Sequence, residues 1–553
     1  MKHTIKIHCL NNGTDYEVPL GSTLDEVFRL TGVSIDGGVT SARVNNKMEG
    51  LDFVLLCNKD VEFVGLCSPS GRRTYTRSLF FVLYRAVTRL YHTARLRIDT
   101  PVSGGYYCRI DLGHPLELDE VEAIKEEMQR IVAENLPFER VSCRTEEAVA
   151  LFRREGLDMK ARLLKSVGKL YTTYYTLDGL ADYYYGSLLL RTGQIGLFDL
   201  VKYYDGVLLR IPDATTPSRL ADISRQDKMF AVFQEHHRWQ EILGVSTIGD
   251  LNVAAEKGMT NALINVSEAL QEKKISRMAD DIAARRDVRV VLISGPSSSG
   301  KTTFSKRLSV QLMASGRRPM PISLDDYFVD RELTPRDENG EYDYESINAL
   351  NIELIEEHLN ALIRGDEVEL PRFNFQTGRS EKSGKKLRLK EDDILVLEGI
   401  HALNPTLTEQ VPDRHKFKIY ASALTSILLD DHNYIPTTDN RLLRRIVRDY
   451  KYRGYSARDT IRRWPSVRRG EDKWIFPYQE NADAMFNSAL LFELAVLRNQ
   501  ALPLLQQVDE RDPEYCEAVR LTKFLLYLRP MSIEGLPPTS LLREFLGGST
   551  FSY

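Results

Sequence analysis

Eight residues, Gly295-Pro296-Ser297-Ser298-Ser299-Gly300-Lys301-Thr302, hold the spacing G-x-x-x-x-G-K-[ST]. An apolar run, Val288–Ser294, precedes them and Thr303–Met313 reads as a helix, so the order is strand, loop, helix. The glycines let the backbone turn tightly and aim successive amide N–H groups at phosphate oxygens. The helix adds the positive end of its dipole. Lys301 would reach the β and γ phosphates, and the Thr302 hydroxyl would join a Mg²⁺ shell. Gly295 to Thr303 is therefore expected to cradle a triphosphate such as ATP.

Two further strands end in carboxylates. Pro319–Leu324 runs into Asp325-Asp326-Tyr327-Phe328, and the nearly all-apolar Asp393–Leu397, suited to burial on both faces, runs into Glu398-Gly399. In an open parallel sheet, ligands sit beyond the carboxyl ends of the strands. Asp325 is placed to take a proton from an attacking hydroxyl, and Glu398 to hold Mg²⁺ directly or through water. A basic helix follows with Arg441, Arg444, Arg445 and Arg448 at offsets that share one face. Arg453-Gly454 closes it, and Arg458, Arg462, Arg463, Arg468 and Arg469 continue beyond. Ten arginines here are expected to form a lid that closes over the triphosphate.

These motifs carry a resemblance. The runs I-S-L-D325-D-Y-F, Y-D343-Y-E, L-P-R-F373-N-F375, V-L-E398-G-I, R-R445-I-V-R448-D-Y-K-Y-R453-G and N481-A-D483 resemble the uridine kinase and phosphoribulokinase-like branch of P-loop kinases. The resemblance implies a nucleoside kinase over 288–490, with Asp325 as general base and Asp343 gripping ribose hydroxyls. It also implies apolar walls from Tyr327, Phe328 and Phe373, Arg445 near the sugar, and Arg448 and Arg453 on the phosphates. Two positions depart from it. Gly378 stands where uridine kinases carry a base-reading histidine, and Arg463 where a lid glutamine reads the base. Without partners for the polar edges of a pyrimidine, uridine or cytidine preference is not implied. A purine nucleoside, another ribosyl alcohol, a sugar phosphate or a pantothenate-like acceptor stays open.

The first 65 residues alternate over 2–9, turn at Asn11-Asn12-Gly13, return over Tyr16–Pro19, and open a helix with the capping-box spacing Thr23-Leu-Asp-Glu26. This ββα unit resembles the TGS domain, a β-grasp module of threonyl-tRNA synthetases. Residues 66–211 resemble the α+β second additional domain of the same synthetases, which edits mischarged tRNA with paired histidines and a cysteine–histidine pair. Phe81, Arg85, Tyr184 and Leu188 stand at those four positions, so no imidazole or thiol remains for metal binding or water activation. The module is expected to be dead for editing, and to serve as a scaffold or contact RNA. Residues 212–287 read as a helical linker in which His236-His237 face solvent, and 491–553 as a helical extension without chemistry of its own.

The expected class is thus multidomain α/β and α+β, with a C-terminal P-loop kinase whose parallel sheet is flanked by helices. A net charge of −4 excludes a chain that wraps nucleic acid as a whole, and six scattered cysteines fit a reducing compartment better than a disulfide framework. No signal-peptide core is present, and Leu79–Tyr91 is interrupted by Arg85 and Arg89 and too short to cross a bilayer, so a cytoplasmic protein without membrane contact is expected. A homo-oligomer is compatible with the tail. The competing reading is an RNA- or ribosome-binding NTPase, against which stands the lack of an N-K-x-D guanine-reading motif after the loop.

Overall fold

The computed structural model describes residues 3–338 and 340–552. The N-terminal sheet orders its five strands Thr14–Pro19, Thr4–Cys9, Lys59–Gly65, Val39–Val44 and Lys47–Glu49. Its outer hairpin is antiparallel, but Thr4–Cys9 pairs in parallel with Lys59–Gly65, which is the β-grasp arrangement. Met1 and Lys2, where the expected first strand begins, lie outside the described residues. The helix Leu24–Thr31 starts as its sequence dictates: the Thr23 hydroxyl accepts the Glu26 N–H, and the Glu26 carboxylate accepts the Thr23 N–H.

A long helix, Pro69–Leu90, leads into a four-stranded sheet (Asp199–Tyr203, Gly206–Arg210, Gly105–Asp111, Arg95–Val102) and a three-stranded one (Leu180–Asp182, Tyr171–Leu177, Glu139–Arg144). Three helices, Asp227–Leu243, Ile248–Glu256 and Thr260–Ala284, then bridge to the C-terminal half. Here the solvent-facing expectation for His236-His237 is overturned. His237 is buried 3.8 Å from Asp99 and held down to about 4, chiefly by burial, while His236 Nδ1 meets the Val232 carbonyl.

The C-terminal sheet is wholly parallel, in the spatial order Arg318–Ser323, Asp393–Glu398, Val290–Ser294, Lys416–Ser422, Ala484–Asn487. Val290–Ser294 and Asp393–Glu398 are buried along their whole length, which is why both read as unbroken apolar runs. A two-stranded hairpin, Glu367–Asn374 with Arg379–Arg388, stands beside the sheet. The extension packs as helices Glu493–Leu505 and Tyr515–Leu525 and a final turn, Arg543–Leu546.

One apolar core crosses these divisions, running from Leu66 and the helix Pro69–Leu90 to Leu442, Leu494 and Phe545. At its centre the fully buried Lys160 ammonium meets Asp182 at 2.8 Å and Asp430 at 2.7 Å. His432 reaches Asp182 at 2.8 Å, and Asn433 donates to Asp430 and to the Tyr183 carbonyl. Among the described residues, no helix is long and apolar enough to cross a membrane.

Candidate functional site

The helix that follows the loop, Lys301–Ala314, begins at the lysine of the loop motif itself. Gly295 is required by close approach, since a Cβ there would collide with the Ala421 carbonyl, and Gly300 takes a φ of 82°. Ser298, although not glycine, also sits in the left-handed region at φ 59°. The Ser298 and Ser299 hydroxyls are buried without a hydrogen-bond partner, and Lys301 Nζ lies over the loop mouth, donating to the Pro296 carbonyl at 3.2 Å. The loop thus presents polar groups inward, as a phosphate cradle needs.

Register brings the carboxylates to the same edge. Glu398 pairs with Ile293 on one side and Ser323 on the other. Its Oε1 accepts from the Thr302 hydroxyl at 3.2 Å and the Ser323 hydroxyl at 3.1 Å. Burial, reinforced by the charge of Asp325, pushes Glu398 up to about 7. Asp325 follows two residues after Ser323 and is exposed at the rim. No cluster of three or more His, Cys, Asp or Glu suited to a metal occurs among the described residues. Thr302 and Glu398 supply two oxygens, a sparse donor set that fits Mg²⁺, which keeps several waters and completes its shell with phosphate.

The expected ten-arginine lid is corrected. Arg441 and Arg444 are fully buried behind the loop rather than over it. Arg441 donates to the Ser297 carbonyl at 3.0 Å and pairs with Glu471; Arg444 pairs with Glu493 at 2.7 Å and reaches the Ser298 carbonyl. Glu471 also accepts the Ser297 N–H at 3.1 Å. Arg458 and Arg462 turn to Asp512 and Glu514 of the extension, Arg468 to Glu471, and Arg469 to Asp337. The two fully buried guanidinium groups, Arg441 and Arg444, each meet a buried carboxylate, since an uncompensated buried charge is costly. Only Arg445, Arg448 and Arg453 converge, sharing the buried carboxylate of Asp449. Arg445 also donates to the Ser297 hydroxyl at 3.0 Å. The neighbouring Arg448 and burial bring Arg453 down to about 10, still charged at neutral pH.

On the acceptor side, Phe328 and Phe373 stand 5.6 Å apart, and Phe375 lies 5.1 Å from Phe373 beneath the Arg453 guanidinium. Tyr327 is not part of this wall: it is buried in the core with its hydroxyl 3.0 Å from His358 Nδ1. Asp343 accepts the Glu345 N–H at 3.2 Å. Gly378 has φ 72°, and a Cβ there would come 2.8 Å from the Arg331 guanidinium, which donates to the Phe375 carbonyl. Arg463 lies outside, over Tyr455 at 4.4 Å.

Three further residues lie at the site: Glu345, which closes the Y-D343-Y-E run without a role assigned to it, and His401 and Glu544, which no motif announces. Burial pushes Glu345 up to about 7 between Arg445, Glu471 and Lys301, and its Oε2 has no partner. His401 is buried near Lys301 and held down to about 4 by burial. Glu544, from the last turn of the extension, accepts both the Thr303 N–H at 3.2 Å and the Thr303 hydroxyl at 2.7 Å.

In the N-terminal half, Phe81, Tyr184 and Leu188 are buried, with Phe81 and Tyr184 rings 5.6 Å apart, and Arg85 pairs with Asp178. The pattern of the phosphoribulokinase / uridine kinase family matches residues 290–491. Threonine–tRNA ligase 2 of Bacillus subtilis is 30% identical over 194 residues, 35% of this chain and 30% of the ligase. The chain therefore spans under a third of that relative. The D-glycerate 3-kinase structure from Cryptococcus neoformans is 13% identical, covering 46% of this chain and 87% of that one at a TM-score of 0.22. The uridine kinase of Halobacterium salinarum is 30% identical over 193 residues, 34% of this chain and 76% of that protein. With that likeness over the loop, the parallel sheet and its carboxylates, the chain belongs to the phosphoribulokinase / uridine kinase family.

Proposed function

We propose that the protein is an ATP-dependent small-molecule kinase, transferring the γ-phosphoryl group to a ribose 5′-hydroxyl of a nucleoside or to a related alcohol. The observation that carries this reading is the bonding of Glu398 to both Thr302 and Ser323, with Asp325 two residues on. It supports reading Glu398 as a metal carboxylate and Asp325 as a proton acceptor at one sheet edge beside Lys301. The amides of Gly295–Thr303 and Lys301 bind the triphosphate, and Arg445, Arg448 and Arg453 balance charge on the transferring group. Thr302 and Glu398 would hold Mg²⁺, which when bound neutralises charge on the β and γ phosphates. Asp325 takes the hydroxyl proton as the acceptor oxygen forms its bond to the γ phosphorus and the bond to the ADP oxygen breaks. Phe328, Phe373 and Phe375 offer apolar faces to the acceptor.

Acceptor choice is proposed to be broader than pyrimidine nucleosides, since Arg331 fills the space a side chain at 378 would need. The test is a phosphotransfer screen with ATP against nucleosides, sugar phosphates and pantothenate-like alcohols, with Asp325→Asn as control. If no acceptor is phosphorylated while RNA stimulates ATP hydrolysis, the kinase reading fails. That outcome would favour an RNA-binding NTPase, the reading to which the threonine–tRNA ligase likeness lends support.

A further inference from the structure

A cavity of about 80 Å³ lies between the bridging helices Asp227–Leu243 and Thr260–Ala284, the edge strand Ala484–Asn487 and the start of the helix Glu493–Leu505. A water takes up about 30 Å³ of liquid, so the space holds more than one water or a small organic group. Much of its wall is apolar: Trp239, Leu243, Leu270, Met485, Phe486 and Leu494.

Two polar side chains at this wall are left over. Asn440, fully buried in the first turn of the helix Thr437–Arg453, has no hydrogen-bond partner among the described residues for its amide nitrogen or its amide oxygen. The Thr425 hydroxyl, also buried at the wall, has none either. Buried polar groups are rarely left so, because each gave up its bonds to water on folding. Their neighbours are satisfied: Asn487 bonds Leu424 and the Ala489 N–H, and Gln240 donates to the Ser426 hydroxyl at 2.9 Å. The charges that line the space are paired too, Lys274 with Glu235 at 2.8 Å and Glu493 with Arg444 at 2.7 Å. Burial holds His236 below its ordinary value, so it is neutral at pH 7.

These properties select the occupant. An ion here would lose its water without gaining a counter-ion, so the occupant is uncharged. The apolar wall favours a hydrocarbon body. Asn440 presents a donor and an acceptor side by side, which a carboxamide mirrors with its own C=O and N–H, whereas an alcohol offers a single hydroxyl. We propose that the cavity is a binding site for a small uncharged carboxamide, its amide paired with Asn440 and bonded to the Thr425 hydroxyl, its apolar tail against Trp239 and Phe486. It uses no residue of the candidate kinase site and stands or falls independently of that reading.

The full-length protein is titrated with butyramide, and in parallel with butyrate, n-butylammonium and 1-butanol, by ligand-observed NMR. The expected result is saturable binding of butyramide, about tenfold weaker binding of 1-butanol, and none of either ion. Asn440→Leu replaces an unbonded buried amide with an apolar group of similar size, so the melting temperature should hold or rise while butyramide binds about tenfold more weakly. Thr425→Val, matched in shape, should weaken butyramide about threefold, and it decides the matter if Asn440→Leu fails to fold. No saturable binding would mean that water alone fills the cavity, and overturns the proposal. So would equal binding of an ion or of 1-butanol, or binding that ignores both substitutions.

Discussion

Thr303 and Glu544 stand 241 positions apart in sequence, yet the Thr303 hydroxyl donates to the Glu544 carboxylate at 2.7 Å and the Thr303 N–H to the same oxygen at 3.2 Å. A carboxylate therefore occupies the first turn of the loop helix, where helix dipole and free amides favour an anion. ATP phosphate and this carboxylate compete for the same donors. Glu544→Gln, which keeps the shape and removes the charge, should tighten ATP about tenfold, the worth of roughly one charge-assisted hydrogen bond. Equilibrium ATP binding reads this directly; unchanged or weaker binding rules out the competition.

Asp325→Asn should lower turnover by about 10²–10⁴ while leaving ATP binding within about twofold, because a general base acts on the acceptor proton and not on the triphosphate. Steady-state kinetics alongside ATP binding separates the two. A matched loss of ATP affinity would assign Asp325 to nucleotide or metal binding instead.

Glu345 is a carboxyl whose folded value of about 7 lies above its ordinary 4.5, chiefly through burial. Between those values the folded state holds more protons than the unfolded one, so stability falls as pH rises from about 4.5 to about 7. Glu345→Gln should remove that slope and, at pH 8, exceed the parent by about 1–3 kcal/mol. Urea unfolding across pH 5–8 measures both curves, and parallel curves would contradict the assignment.

Much of the site could be read along the chain where local pattern decides it. The strand–loop–helix order over Val290–Ala314 and the carboxylate at 398 follow from apolar runs, which buried parallel strands impose, whereas Asp325 follows the half-exposed edge strand Arg318–Ser323. The arginines show where such reading stops. Helical spacing places Arg441, Arg444, Arg445 and Arg448 on one face, but it cannot name what that face meets. Glu471 and Glu493, 30 and 49 residues on, are what turn Arg441 and Arg444 into braces. Glu544 cannot be read from local pattern for the same reason, and Tyr327 turns inward because its partner His358 sits on another helix.

Gly378→His would restore the residue type that pyrimidine kinases carry there, yet it should not restore pyrimidine preference. The backbone has φ 72° and Arg331 occupies the space. The expected result is a lower melting temperature with an unaltered ranking of acceptors. A pyrimidine preference gained by the single substitution would show that Arg331 yields readily.

Lys160→Met should destabilise the protein by about 3–5 kcal/mol, since it leaves Asp182 and Asp430 buried without their shared cation. Burial alone would raise Asp182; Lys160 and His432 outweigh it and hold the carboxyl well below its ordinary range. Chemical denaturation quantifies the loss, and a change under about 1 kcal/mol would mean that water or rearrangement replaces the lysine.

That buried cluster also ties the two halves together. Asp430, His432 and Asn433 belong to the half that resembles kinases, and Lys160 and Asp182 to the half that resembles synthetases. A descendant that lost the synthetase-like half by gene deletion would inherit Asp430 stranded in an apolar wound, with Leu442 and Leu494 newly wet. Joined this way, the two halves complete one interior, so removing either would leave the other with a wet apolar face and an uncompensated buried charge.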